Sequence, residues 1–208
     1  MLRLHIVRHG QTEWNAIRRV QGQQDSQLND KGRQQAAQVR DALSDIDFKA
    51  VFVSPLLRTR QTAEILCRDR SADLQFVDDL KEMGLGEWET LMWEDIHKTW
   101  PEQHAQFSLR PHLFNMPSAE TAQQVMERGI NAIDHIRAQA PEGDVLVVSH
   151  GVLIKTIILK YAQQPMSVLW DEPHLENCCR SILQFDSNTG ADWLSVADVD
   201  IADVKWAL

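Results

Sequence analysis

The sequence predicts an α/β fold, a three-layer sandwich in which a mainly parallel sheet is covered by helices on both faces. Three observations carry this. Strand-like and helix-like segments alternate through most of the chain. The run Asp144-Val-Leu-Val-Val-Ser149 is apolar without alternation, as in a strand buried on both sides. Capping residues mark helix starts between the strands. Residues 1–208 are expected to form a single domain, since no repeat, low-complexity tract or linker divides them.

Residues 2–7 read as the first strand. Asn29 caps a helix over about residues 30–43, with Ala36, Ala37, Val39 and Leu43 on its inner face. Val51–Val53, within Lys49-Ala-Val-Phe-Val, is a second strand. Ser54 then places a capping hydroxyl before Pro55, opening a helix to about Leu66. Ser118 caps another helix, with Ala122, Val125, Met126, Gly129, Ile133, Ile136 and Ala140 on one face. The third strand is Asp144–Ser149, and Gly151–Tyr161 is apolar nearly all round, as in a buried helix. Ser181–Phe185 and Trp193–Val196 are two further strands, with a turn at Asn188-Thr-Gly190. The stretch at about 87–117 holds Trp88, Trp93, Trp100, three histidines and three prolines without a clean period. Such a segment is a loop-and-helix insertion, the kind that forms a lid or cap over a site.

Composition narrows the function. The chain is 43% hydrophobic and 25% charged, as in soluble globular proteins. Its formal net charge of −9 argues against a nucleic-acid partner, yet says nothing against a small anion held by a few local donors. There is no signal-peptide pattern and no apolar run long enough for a membrane, so a cytoplasmic location is expected. Cys67, Cys178 and Cys179 suggest free thiols in a reducing compartment. No zinc-like spacing appears, and neither metal nor cofactor is called for. His97, His104 and His112 read as surface residues, Trp14, Trp88, Trp93 and Trp100 as packing, and Glu120 as an acid in the first turn of a helix. Nothing specifies an oligomeric state.

Three strand-to-helix junctions carry the chemistry, because open α/β sheets bind ligands at the carboxyl ends of their strands. They are Arg8-His9-Gly10-Gln11-Thr12-Glu13-Trp14-Asn15, Ser54 through Arg58 to Ala63, and Ser149-His150-Gly151. A neutral imidazole at His9 can attack phosphorus, provided an acceptor fixes its tautomer. Gly10 would allow a close backbone approach and could supply that acceptor. Arg8 and Arg58 offer planar forks for phosphate oxygens, and His150 stands before a helix whose N-terminus favours an anion. A leaving oxygen needs a proton, and Glu82 in the glycine-punctuated loop Leu80–Glu89 is the chosen donor over Glu87, Glu89 and Glu120.

The ordered set resembles the histidine phosphatase superfamily, on the branch that includes cofactor-dependent phosphoglycerate mutases. It comprises Arg8-His9-Gly10 with Thr12 and Asn15; Gln21-Gly22; Leu28 and Gly32; Ser54-Pro55 through Arg58 to Gln61-Thr62-Ala63; Glu82, Gly86 and Trp88; and Ser149-His150-Gly151. Arg18-Arg-Val-Gln-Gly-Gln-Gln-Asp-Ser26 and Glu176-Asn177-Cys178 are most similar to a bacterial subgroup named for phosphoglycerate mutase but thought to act as phosphatases. The resemblance implies a phosphoglycerate mutase-like fold and a phosphate pocket of Arg8, His9, Arg58 and His150. It also implies Glu82 as proton donor, with Asn15, Gln21, Gly22 and Gly151 near the substrate. Two positions depart from the family pattern: Thr90 replaces a usual glycine, and Ala119-Glu120-Thr121 replaces Gly-Glu-Ser.

The expected function is a metal-independent phosphatase that hydrolyses small phosphomonoesters through phosphohistidine at His9. Candidate substrates are phosphorylated sugars, phosphoglycerates, nucleotides and a nucleoside phosphate of cofactor synthesis. The alternative is a phosphoglycerate mutase, which must hold a second anionic group. Between Glu87 and Pro117 the only lysine or arginine side chains are Lys98 and Arg110, which favours hydrolysis. A non-catalytic phospho-ligand module would have lost one of the four pocket residues, and none is lost.

Overall fold

The computed structural model of the chain describes residues 1–68, 70, 72–186 and 190–206. In chain order its first elements are β1 (Leu2–Arg8), the one-turn α1 (Glu13–Ala16), α2 (Asp30–Ala42), β2 (Phe48–Val53), α3 (Leu57–Leu66) and β3 (Leu74–Phe76). There follow α4 (Trp93–Thr99), α5 (Pro101–Leu109), α6 (Ala122–Gln139), β4 (Gly143–Ser149), α7 (Gly151–Tyr161), β5 (Arg180–Asp186), β6 (Gly190–Val196) and β7 (Val199–Asp200). One sheet takes the order β3-β2-β4-β1-β5-β6-β7. The four strands from β3 to β1 run parallel, and β5, β6 and β7 continue antiparallel. The α/β class with a parallel block is therefore the one observed.

Period-2 geometry explains the two covered faces. Along β4, Val145 and Val147 face one helical layer, while Leu146 and Val148 face the other. The first layer is α6 and α7, which bring Ile133, Ile136, Leu153 and Ile157; the second brings Ala63 and Leu66 of α3. Each such fully buried aliphatic side chain contributes about 1.5–3 kcal/mol. Asn29 caps α2 as expected, its side chain accepting from Gly32 N at 2.8 Å.

Two expected caps are corrected. The third helix starts at Leu57, and its N-cap is Leu56, whose apolar side chain makes no capping bond. Ser54 instead turns its hydroxyl to His150 Nε2 at 2.8 Å. The cap of α6 is Thr121, which forms a reciprocal capping box with Gln124. Ser118 lies three residues earlier and accepts from Glu87 N at 3.3 Å. Glu120 therefore precedes the helix rather than sitting in its first turn. The turn expected at residues 188–190 lies largely outside the described residues. The short β3 and β7 escaped sequence reading, since two or three residues show no period.

The segment at 87–117 contains α4, α5 and a 3₁₀ turn at Pro111–Leu113. Trp88 is fully buried at its base, with ring centroids 5.9 Å from Trp93, 5.6 Å from Phe107 and 5.2 Å from Phe114. A pair of backbone bonds ties it to the loop after β1: Thr90 N to Val20 O and Val20 N to Leu91 O, both 2.9 Å.

Thr90 holds φ at +74°, a left-handed conformation that a β-branched side chain adopts only at a cost. Thr90→Gly is expected to raise the unfolding free energy by about 1 kcal/mol. Urea denaturation measures this, and a loss of stability would refute the strain at this position.

Candidate active site

The carboxyl ends of β1, β2 and β4 lie side by side in the parallel block. β1 delivers Arg8 and His9, β2 leads through Ser54 to Arg58 on α3, and β4 hands His150 to the start of α7. His9, Arg58 and His150 are 2%, 1% and 0% exposed. The two imidazoles stand with ring centroids 5.3 Å apart. Both arginines act electrostatically on both rings, so three distant loops do converge on one place.

His9 is held on every side. Its Nδ1 donates to Gly10 O at 2.7 Å, because a carbonyl can only accept; Nε2 therefore carries the lone pair. Its backbone N donates to Ser149 O at 3.0 Å, and its carbonyl accepts from Asn177 Nδ2 at 3.1 Å. Gly10 donates to Thr62 Oγ1 at 3.1 Å. A Cβ on Gly10 would lie 2.6 Å from Gly32 O, so the approach of this loop to α2 requires glycine.

The other three pocket residues present unpartnered buried nitrogens. Arg58 donates from its two terminal nitrogens to Gln24 O at 2.8 Å and Gly22 O at 2.7 Å, leaving Nε buried without a protein partner. Arg8 donates to Leu175 O, and its Nε is likewise buried and unpartnered. His150 Nε2 and the Ser54 hydroxyl share a hydrogen bond of 2.8 Å, and His150 Nδ1 is a third buried and unpartnered nitrogen. Buried donors without acceptors are costly, and a tetrahedral oxyanion among these residues would satisfy them. Burial and the Arg58 and Arg8 charges hold His9 well below its usual 6.5, against the opposing Gly10 carbonyl. Burial, Arg58 and then His9, with Arg128 and Arg8, hold His150 low in the same way. Burial also brings Arg58 down to about 10.

Glu82 lies on the rim of a cavity of about 330 Å³ that also contains Arg8 and Gly151. Its carboxylate accepts from Met83 N at 2.9 Å and from Val152 N and Leu153 N at 3.3 Å. The first turn of α7 thus serves Glu82, where sequence reasoning had aimed it at a bound phosphate. The rival acids are otherwise placed. Glu87 is exposed. Glu89 brackets its own loop by accepting from Gln23 N and Leu85 N, both at 3.0 Å. Glu120 pairs with Arg128 at 2.7 Å and accepts from Gly84 N at 2.6 Å. Arg128 also donates to the carbonyls of Asp79, Lys81 and Glu82, clamping the acid loop. Sequence reasoning missed it: besides Glu120, its partners are backbone groups more than forty positions away, which no local pattern marks.

Of the remaining expected residues, Gly22 supplies the carbonyl that holds Arg58, and its φ of +52° suits glycine. Gln21 accepts from Thr12 Oγ1 at 3.1 Å, and Asn15 accepts from Thr12 N at 3.1 Å in a capping box, so their oxygens shape the loop after His9. Gly151 lies 3.4 Å, measured from an added Cβ, from Arg8 Nε. Among the described residues, no group of three or more His, Cys, Asp or Glu is placed to hold a metal.

The depressed imidazoles have a consequence for stability. In the unfolded chain these rings take a proton near pH 6.5, whereas the folded rings resist it. Stability is therefore fully present above pH 6.5 and falls as pH drops below it. Denaturant midpoints at pH 7.5 and 5.5 are expected to show this loss, smaller in His150→Gln. Equal losses in the two proteins would refute the buried neutral state of His150.

Comparison with known proteins agrees with this geometry. A sequence model of the histidine phosphatase superfamily (branch 1) matches residues 4–196. The protein named "Probable phosphoglycerate mutase GpmB" from Escherichia coli is 32% identical over 201 residues, covering 94% of this chain and 89% of its own. Bacillus stearothermophilus YhfR superposes with a TM-score of 0.89 at 31% identity, covering 97% of this chain and 98% of that one. A mycobacterial glucosyl-3-phosphoglycerate phosphatase in complex with VO3 superposes with a TM-score of 0.84 at 25% identity, covering 96% and 100%. With the family model spanning nearly the whole chain and these two histidines and two arginines meeting in one pocket, the chain belongs to the histidine phosphatase superfamily, branch 1.

Proposed function

We propose that this protein is a metal-independent phosphomonoesterase that passes a phosphoryl group through His9 to water. The carrying observation is the buried, neutral His9 with Nδ1 tied to Gly10 O, set beside three unpartnered buried nitrogens. The donors of Arg8, Arg58 and His150 take the phosphoryl oxygens and stabilise the charge that spreads over them in transfer. His9 Nε2 attacks phosphorus, the bond to the alkoxy oxygen breaks, and Glu82 gives that oxygen its proton. Glu82, now a carboxylate, takes a proton from water; the hydroxide attacks phosphohistidine, releasing phosphate and restoring His9. Arg128 acts as a positioning residue by fixing the backbone of the Glu82 loop.

The substrate class is a small phosphorylated metabolite. The described residues contain no helix long and apolar enough to cross a membrane. A cytoplasmic setting is supported by three buried free cysteines, with Cys178 and Cys179 pushed up to about 12 by burial. Residues 1–208 are read as one domain, capped by the segment at 87–117. Hydrolysis is favoured over mutase chemistry because the cap's Lys98 is exposed and paired with Glu94 at 2.7 Å, while Arg110 is exposed. The mutase reading has the name of the Escherichia coli relative behind it.

Phosphate release from a panel of esters is expected to proceed with chelator present, and His9→Ala to lower it at least about a thousandfold. Interconversion of 3- and 2-phosphoglycerate faster than phosphate release would overturn the hydrolase reading; full activity in His9→Ala would overturn the mechanism. Glu82→Gln is expected to lose about 10²–10⁴-fold on alkyl phosphates and far less on nitrophenyl phosphate, whose leaving group needs no proton. Equal losses on both would remove Glu82 from the role of acid.

A further inference from the structure

A cleft of about 490 Å³ is left unused by this chemistry. Its walls come from two distant parts of the chain: the loop after His9, with Trp14, Arg18 and Arg19, and the cap, with Trp93 and His104. Trp170 borders it and also borders the cavity holding Arg8 and Glu82, so the two spaces adjoin. The walls are fixed to each other, since Trp93 N donates to Arg18 O at 3.3 Å and Arg19 bridges to Met92.

The charge of this cleft runs against that of the chain. No carboxylate lines it, although the net charge is −9. Among the described residues Arg18 and Arg19 form no ion pair. The Arg19 guanidinium carbon lies 5.4 Å from the Trp14 ring centroid, and Arg19 Nε is buried without a partner. A guanidinium so held keeps its terminal fork free for a carboxylate or phosphate, while the flanking indoles offer faces to a planar group. The adjoining cavity is different: Glu82, Asp171 and Glu176 line it, and the Lys155 ammonium there is spent on Asp171 O at 2.7 Å and Pro173 O at 2.9 Å. Trp88 is packing, as its sequence context suggested; Trp93 packs against Trp88 and Phe107 and also lines the cleft, as Trp14 does.

We propose that this cleft binds the alcohol portion of the substrate and selects phosphomonoesters in which that portion is a flat ring bearing a second anionic group. The inference rests on the phosphomonoesterase reading. It concerns the group released, not the acceptor, and so holds whether water or another hydroxyl takes the phosphoryl group.

Phenyl phosphate, 4-carboxyphenyl phosphate and the longer 4′-carboxybiphenyl phosphate form a test series. At least one carboxylated ester is expected to exceed phenyl phosphate about tenfold in kcat/KM. Arg18→Ala/Arg19→Ala should lower kcat/KM for the carboxylated ester at least tenfold more than for phenyl phosphate, mainly through KM, and Arg19→Lys should restore part of the preference. Lack of preference in the unaltered enzyme, or an equal fall on all three esters, would overturn the proposal. Calorimetric titration of the same esters into His9→Ala separates the two readings. If no ester is hydrolysed, the catalytic reading fails, while tighter binding of the carboxylated ester that vanishes in the arginine double variant still supports the cleft, and equal binding sinks it.

Discussion

A single desolvated cation organises this molecule's site. Arg58 is almost completely buried, is held by two carbonyls, and has no ion-pair partner among the described residues. Two carbonyls give direction to a guanidinium without cancelling its charge, so the residual field is free to act on whatever enters. Burial is the larger cause of the neutral imidazoles at His9 and His150, and the Arg58 charge adds to it. The carbonyls come from Gly22 and Gln24, which means that the loop after β1 must be folded before the guanidinium is aimed. The glycine contact at Gly10, the Thr12–Asn15 capping box and the bracket of Glu89 all serve that loop.

The fold was legible because its long elements are strongly patterned. The apolar β4 and the amphipathic α6 announce a covered sheet, and Asn29 announces α2. Ser54 misled the reading for a physical reason. A serine before a proline satisfies a local capping rule, but its hydroxyl found a better partner across the sheet in His150, 96 positions away. Thr121 with Gln124 carried the stronger capping pattern all along, and Ser118 drew attention only by standing first. Arg8, His9 and His150 were legible because each sits at a strand end, and Arg58 because it opens the helix that follows one. Arg128 and the Leu175 carbonyl were not, since what they contribute is a contact with backbone, which has no letter in the sequence.

Family membership and substrate choice are separate levels of this architecture. The candidate pocket is built at and just after strand ends within the parallel block, where the backbone is fixed by the sheet. The space around it is built from the cap, the loop at 11–26 and the segment at 165–177, which approach from three directions. The relatives carry both mutase and phosphatase names, as expected where one transfer centre is fixed and the surrounding surfaces vary.

The two ends of the sheet have a further consequence. β3 is three residues long and β7 only two, so neither terminal strand is itself a long row of open N–H and C=O groups. A foreign strand pairing with either one could form only a bond or two before running out of template. The longer open row lies on β6 before Ser195, which β7 does not reach, so that stretch is where this sheet could be extended by another strand.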